Sequence, residues 1–250
     1  MRRTRHRRLL YLVLALVLVV LGVLVMRGWP PAAGTGAGAD QSAQPAGNTL
    51  LTSSAAEVTT ARTQLDGLVV GPRPALSTDY RRAAFGDAWT DTDGNGCNQR
   101  DDVLLRDRVA SAPYRVGQQG SCDHDVLAGT WVDPYTGATI VLTDAKDQKQ
   151  AQSVQIDHVV ALSVAWRYGA STWTDERRLA FANDLRNLVA AGGAANQAKG
   201  GSDASEWQPV RGARCGYAVR YVTVKAAYSL PTDATEKEAL AAMLDTCGPS

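Results

Sequence analysis

The sequence predicts a mixed α+β domain, and three observations carry that expectation. Short β-type segments cluster in the middle of the chain, at 129–142 and 153–159, without the regular strand–helix alternation of a parallel sheet. Segments with helical apolar spacing lie on both sides of them. Four cysteines, Cys97, Cys122, Cys215 and Cys247, all fall beyond an export-type N-terminus, where disulfides are the expected state.

The first 39 residues stand apart from that domain. Arg2, Arg3, Arg5, Arg7 and Arg8 precede an apolar run from Leu9 to Met26, closed by Arg27. With Ala37-Gly38-Ala39 behind it, this is the layout of a secretory signal. The run is also long enough for a membrane anchor whose arginines stay in the cytoplasm. Residues 1–39 are therefore assigned to a signal peptide or a signal anchor. Either way the remainder lies outside the cytoplasm, anchored to the membrane or secreted. Residues 40–54, rich in Gly, Ala, Ser, Thr and Gln, read as a flexible linker, and 55–250 as the folded domain.

Within that domain the elements follow in order. Val58, Ala61 and Leu65 share one face of a helix over 55–65, and Pro72 and Pro74 then impose extended chain. A short helix is expected over 101–109. Residues 129–132 and 138–142 read as strands around an Asp133-Pro134-Tyr135-Thr136-Gly137 turn, and 153–159 as a further strand. Helices are expected at 160–168, 175–184, 193–199, 213–228 and 233–246, the last capped by Thr232 or Asp233. Three disulfide pairings are open. Cys97–Cys122 with Cys215–Cys247 is the expectation, because each pair flanks its own segment and would stabilise the fold by roughly 3–4 kcal/mol.

Residues 157–199 hold the chemistry. Asp157 and His158 are adjacent and so point to opposite faces of a strand, unless the strand ends there. A helix over 193–199 would bring the Asn196 amide opposite Asp157, giving two hard oxygen ligands for Mg²⁺, with Mn²⁺ as a substitute. His158, with an ordinary imidazole pKa near 6.5, would then serve as general base. Lys199, three residues beyond Asn196, could reach a phosphate oxygen. Asn187 suits a turn.

These residues resemble a known family. Asp157-His158-Val159-Val160-Ala161-Leu162-Ser163, Asn187-Leu188 and Asn196-Gln197-Ala198-Lys199-Gly200 are similar to the HNH, or ββα-metal, endonuclease motif. More narrowly, the chain from about 60 to 248 resembles secreted bacterial proteins related to the C-terminal HNH domain of GmrSD-type restriction endonucleases. Trp89 to Arg100, Gly129 to Gly137, Ala165-Trp166, Phe181 to Asp184 and Glu206-Trp207 extend the likeness. The resemblance implies a ββα-metal core inside a disulfide-linked domain with additional helices. It makes Asp157 and Asn196 the metal ligands and His158 the general base. Asn187 would shape the loop and orient the histidine, and Lys199 is the nearby lysine. Two positions depart from the pattern. Ala161 stands where many relatives have proline, and Asn196 where the older motif ends in histidine, which disfavours softer metals.

Composition bounds the partners. Of 26 basic residues six lie in 1–39, which leaves twenty against 25 acidic ones and a net charge of −5. That counts against a tight nucleic-acid binder, slightly favours a non-enzymatic protein, and does not exclude an enzyme that releases its substrate quickly. The leading expectation is an endonuclease of low sequence specificity acting on DNA, with RNA as an open alternative. The rival is a catalytically silent envelope protein that binds nucleic acid or a protein partner through the same fold. A toxin-like nuclease would need an immunity protein as partner. Asp91, Asp93, Asn95 and Asp102 have the spacing of a weak Ca²⁺ loop, against the plainer reading of a Gly/Asn/Asp turn. The tryptophans are expected in packing, and zinc is disfavoured because no CxxC spacing occurs.

Overall fold

In a computed structural model the fold is described for residues 51–75 and 78–248; the expected export segment and most of the linker lie outside the described residues. Among the described residues no helix is long and apolar enough to cross a membrane. The architecture is mixed α+β with two small antiparallel sheets.

Helix α1 (Ala55–Gly67) opens with a reciprocal cap. Ser54 Oγ accepts from Glu57 N at 3.3 Å, and Glu57 Oε2 accepts from Ser54 N at 2.7 Å. Val58, Ala61 and Leu65 are buried, as the spacing predicts. The proline-bearing chain that follows is strapped to the far end of the domain, with Thr232 N on Val69 O and Gly71 N on Thr232 O. Helix α2 (Gln99–Asp107) starts two residues before the expected position, because Asn98 caps it through the backbone N–H groups of Arg100 and Asp101.

Strands β1 (Arg115–Gln119), β2 (Cys122–Val132) and β3 (Thr139–Leu142) form the first sheet. The expected turn joins β2 to β3. Strand β1 was not anticipated: its Arg-Val-Gly-Gln-Gln carries no apolar alternation, and it holds an exposed edge. The polar first half of β2 escaped for the same reason. A short helix α3 (Gln148–Ala151) then leads to β4 (Val154–His158).

Strand β4 pairs antiparallel with β5 (Leu188–Gly192), from Val154 opposite Gly192 to His158 opposite Leu188. Between them run α4 (Leu162–Arg167) and α5 (Asp175–Ala182), both shorter than expected. Helix α6 (Gly193–Lys199) follows β5 directly, and α7 (Arg214–Ala227) and α8 (Ala234–Leu244) complete the chain. The β4–β5 pair is buried on both faces. Val154, Ile156, Leu188 and Ala190 join a core under the first sheet and α2, whereas Val189 and Ala191 join the larger helical core. The disulfides are Cys97–Cys122 and Cys215–Cys247, the expected pairing.

Candidate active site

Two strand ends and one helix build the site. Strand β4 stops at His158, so Asp157 and His158, which alternation would send to opposite faces, both line one open cleft of about 400 Å³. Asn196 on α6 lines the same cleft, as do Tyr80 and Arg82. Helix α6 sits this close to β4 because Gly193 allows it: a Cβ there would lie 2.3 Å from Gln152 O.

Asp157 is buried and held from two sides. Its Oδ2 accepts from the Tyr135 hydroxyl at 2.5 Å and from Lys199 Nζ at 3.0 Å, while Oδ1 lies 3.3 Å from the same ammonium. Lys199 is wholly buried and also donates to His158 O at 2.8 Å. Its charge is thus directed at the Asp157 carboxylate and the His158 carbonyl rather than at a phosphate in the cleft, which corrects the expected role. Asn196 Nδ2 donates to Gln155 Oε1 at 2.9 Å, and its Oδ1 accepts no hydrogen bond among the described residues. The Asp157 carboxylate and the Asn196 amide oxygen are therefore hard donors at one cleft. That donor set fits a magnesium-type cation, with water and substrate completing its shell. The Lys199 ammonium beside Asp157 limits the negative charge available to hold such an ion.

His158 Nε2 lies 2.8 Å from Ala182 O. Nε2 therefore carries the proton, and Nδ1 is the acceptor nitrogen. The expectation of an ordinary imidazole is corrected. Burial pushes His158 down to about 3; the Ala182 carbonyl works the other way, and the charges of Arg82 and Lys199 add to the depression. Asn187 is fully buried and clamps the loop behind the histidine. Its Oδ1 accepts from Val160 N at 2.8 Å, its Nδ2 donates to Val160 O at 3.2 Å, and its own carbonyl accepts from Val159 N at 2.8 Å. It shapes the loop without touching the imidazole.

Sequence reasoning missed two supports. Tyr135 lies in the β2–β3 turn, where Asp-Pro and Gly signal the bend but not that its ring folds back under Asp157. The same turn reaches the start of α6, since Asp133 Oδ1 accepts from Gly192 N at 3.2 Å. Gln155, to which no role was given, orients Asn196. It precedes Asp157 by two, the period that puts it on the same strand face.

The remaining candidates lie elsewhere. Asp91, Asp93, Asn95 and Asp102 do come together. Asp91 accepts from Gly94 N at 2.7 Å and Gly96 N at 2.9 Å, and Asn95 Nδ2 donates to Asp102 Oδ1 at 3.0 Å. His124 Nε2 is 2.8 Å from that oxygen, while Asp102 Oδ2 is buried with no hydrogen-bond partner. Cys97, Cys122 and His124 converge, but both sulfurs are spent in a disulfide, so no zinc thiolate can form there. Trp131 and Trp166 are buried, Trp173 and Trp207 pack against the helical core, and Trp89 is half-buried. Arg177 lies over the Trp173 ring at 4.3 Å and Arg178 donates to Ala84 O, so both are engaged in packing.

Comparison with known proteins adds three findings. Residues 98–243 match the family model of the C-terminal domain of GmrSD restriction endonucleases. A protein of Arthroderma benhamiae, described as an uncharacterized secreted protein, is 40% identical over 191 residues, which is 75% of this chain and 85% of the relative. No solved structure matches.

Proposed function

The chain belongs to the family of GmrSD restriction endonuclease C-terminal domains, and from that premise we propose that it is a metal-dependent endonuclease with a ββα-metal core. In this reading β4, β5 and α6 are that core, and the protein hydrolyses phosphodiesters in DNA with low sequence specificity. The observation that carries it is the convergence of Asp157, His158 and Asn196 on one cleft.

His158 Nδ1 takes a proton from the water that attacks phosphorus. Its Nε2–H bond to Ala182 O fixes the ring for that task and leaves Nδ1 as the acceptor. Asn187 holds the loop that carries the base. Asp157 and Asn196 hold Mg²⁺ or Mn²⁺, which when bound supplies positive charge opposite that developing on the phosphate and the departing oxygen. Tyr135 and Lys199 fix the Asp157 carboxylate, and Gln155 turns the Asn196 amide so that its oxygen faces the ion. Lys199 is thus a positioning residue in this scheme. Export is supported by the two disulfides and by the secreted relative. The same reading gives the 91–102 loop a structural calcium ion, supported by the partnerless Asp102 Oδ2.

The test incubates the full chain with supercoiled plasmid and with RNA, in Mg²⁺, Mn²⁺ or EDTA, beside His158→Ala. Metal-dependent nicking lost in the variant is expected. A folded wild type that cleaves neither substrate with any metal would favour the silent binding protein instead.

A further inference from the structure

A second cavity, of about 240 Å³, opens beside the first. Arg82, His158 and Leu162 line both, so the two form one continuous surface with the acceptor nitrogen's ring at their junction. The walls of the second are mostly apolar, from Phe85, Ala88, Trp89 and Ala182, with Asp87 its one carboxylate. Nothing in the proposed hydrolysis uses it.

Three observations say what it would hold. Trp89 has a left-handed backbone, φ +63°, which a bulky side chain rarely adopts. Such strain persists where the surroundings enforce it and points to function more often than chance. The half-buried indole rests against the core beneath the first sheet and also lines the cavity. Arg82, at the shared rim and beside Tyr80, is exposed and makes no ion pair among the described residues. An apolar slot with an aromatic wall, entered past an unpaired guanidinium, has the chemistry of a nucleoside site with its phosphate at the mouth. Asp87 disfavours phosphate inside and so sets the orientation.

We propose that this second cavity seats one nucleoside of the substrate strand beside the bond being cut, with Trp89 against the base and Arg82 on the adjoining phosphate. This rests on the nuclease reading and names the strand contact of that same site. Every base presents a stacking face, so such a site grips the strand without reading sequence.

The test measures binding to the full chain in EDTA, where no cleavage occurs, of deoxyadenosine 5′-monophosphate, deoxyribose 5-phosphate and inorganic phosphate. The nucleotide is expected to bind about ten-fold more tightly than the sugar phosphate. Trp89→Leu should abolish that gap and Trp89→Phe keep most of it. Arg82→Gln should weaken all three ligands alike. On single-stranded DNA, Trp89→Leu should raise KM and leave kcat in place. Ala83→Leu, an exposed position on the cavity wall, should also close the gap without touching the tryptophan, which covers the case of a misfolded Trp89→Leu. A wild type with no gap, or a gap that survives in folded Trp89→Leu and Ala83→Leu, overturns the proposal. Plasmid nicking with no gap would sink the cavity alone; a gap without nicking under any metal would sink the nuclease reading alone.

Discussion

Asp157 illustrates how much of a residue's role is set by what surrounds it. Its candidacy was legible in the sequence only through the set it belongs to, since an Asp-His pair alone is common and it was Asn187, Asn196 and Lys199 following in order that singled it out. Its partners were not legible: Tyr135 is 22 and Lys199 is 42 positions away, and only the folded chain brings them to it. Lys199→Met should therefore cost more than a surface lysine would. It strands a buried carboxylate, and a loss of about 3–5 kcal/mol is expected in denaturant unfolding. Asn187→Ala should lower stability by about 2–3 kcal/mol, since it leaves Val160 N and O without partners in the interior. It should also lower kcat if loop shape sets the base; unchanged stability would show that water replaces the amide.

Strand β5 shows why an element can hide. Leu188 to Ala191 are buried on both faces, so the run lacks the alternation that marks a half-buried strand and reads as readily as helix. The helix after it was expected at 193–199, but its approach to β4 was not. Gly193→Ala is expected to destabilise by about 1–3 kcal/mol, because the backbone of Gln152 must retreat from the new methyl group. Helix α8 makes a second element-scale case. Asp233 caps it, accepts from the Tyr168 hydroxyl at 2.5 Å and pairs with Arg73 at 3.1 Å. Burial alone would raise this carboxyl, but the bonds from Thr235, Tyr168 and Glu236 N and the Arg73 charge outweigh it and hold it well below the usual range. Its stabilisation is complete above the unfolded value of about 3.9 and is lost as pH falls towards the folded one. Asp233→Asn should flatten the acid side of the melting-temperature curve; a curve of unchanged slope would assign acid unfolding to other groups. At the 91–102 loop, calcium added to chelator-treated protein should raise the melting temperature, and Asp102→Asn should remove the rise. Indifference to calcium leaves the loop a self-satisfied turn.

For the whole molecule, the class of fold followed from short strands flanked by helical spacing, and the disulfide pairing, one of three that cysteine order leaves open, from each pair flanking its own segment; the two-core arrangement around β4–β5 depended on long-range packing that no local pattern encodes. Reducing both disulfides, whose partners are separated by 25 and 32 residues, should cost about 3–4 kcal/mol each, seen as a fall in melting temperature with dithiothreitol. The five lysines carry a different kind of information. Lys146 and Lys149 are exposed and Lys237 is partly so, whereas Lys199 and Lys225 have no accessible surface, one under the candidate site and the other in the helical core. An amine-acylating reagent should therefore label three positions at once and the other two only as fast as the structure opens. Mass spectrometry of the two slow sites would time the opening of the candidate site and of the helical core separately, with a pair of internal clocks that needs no engineered probe.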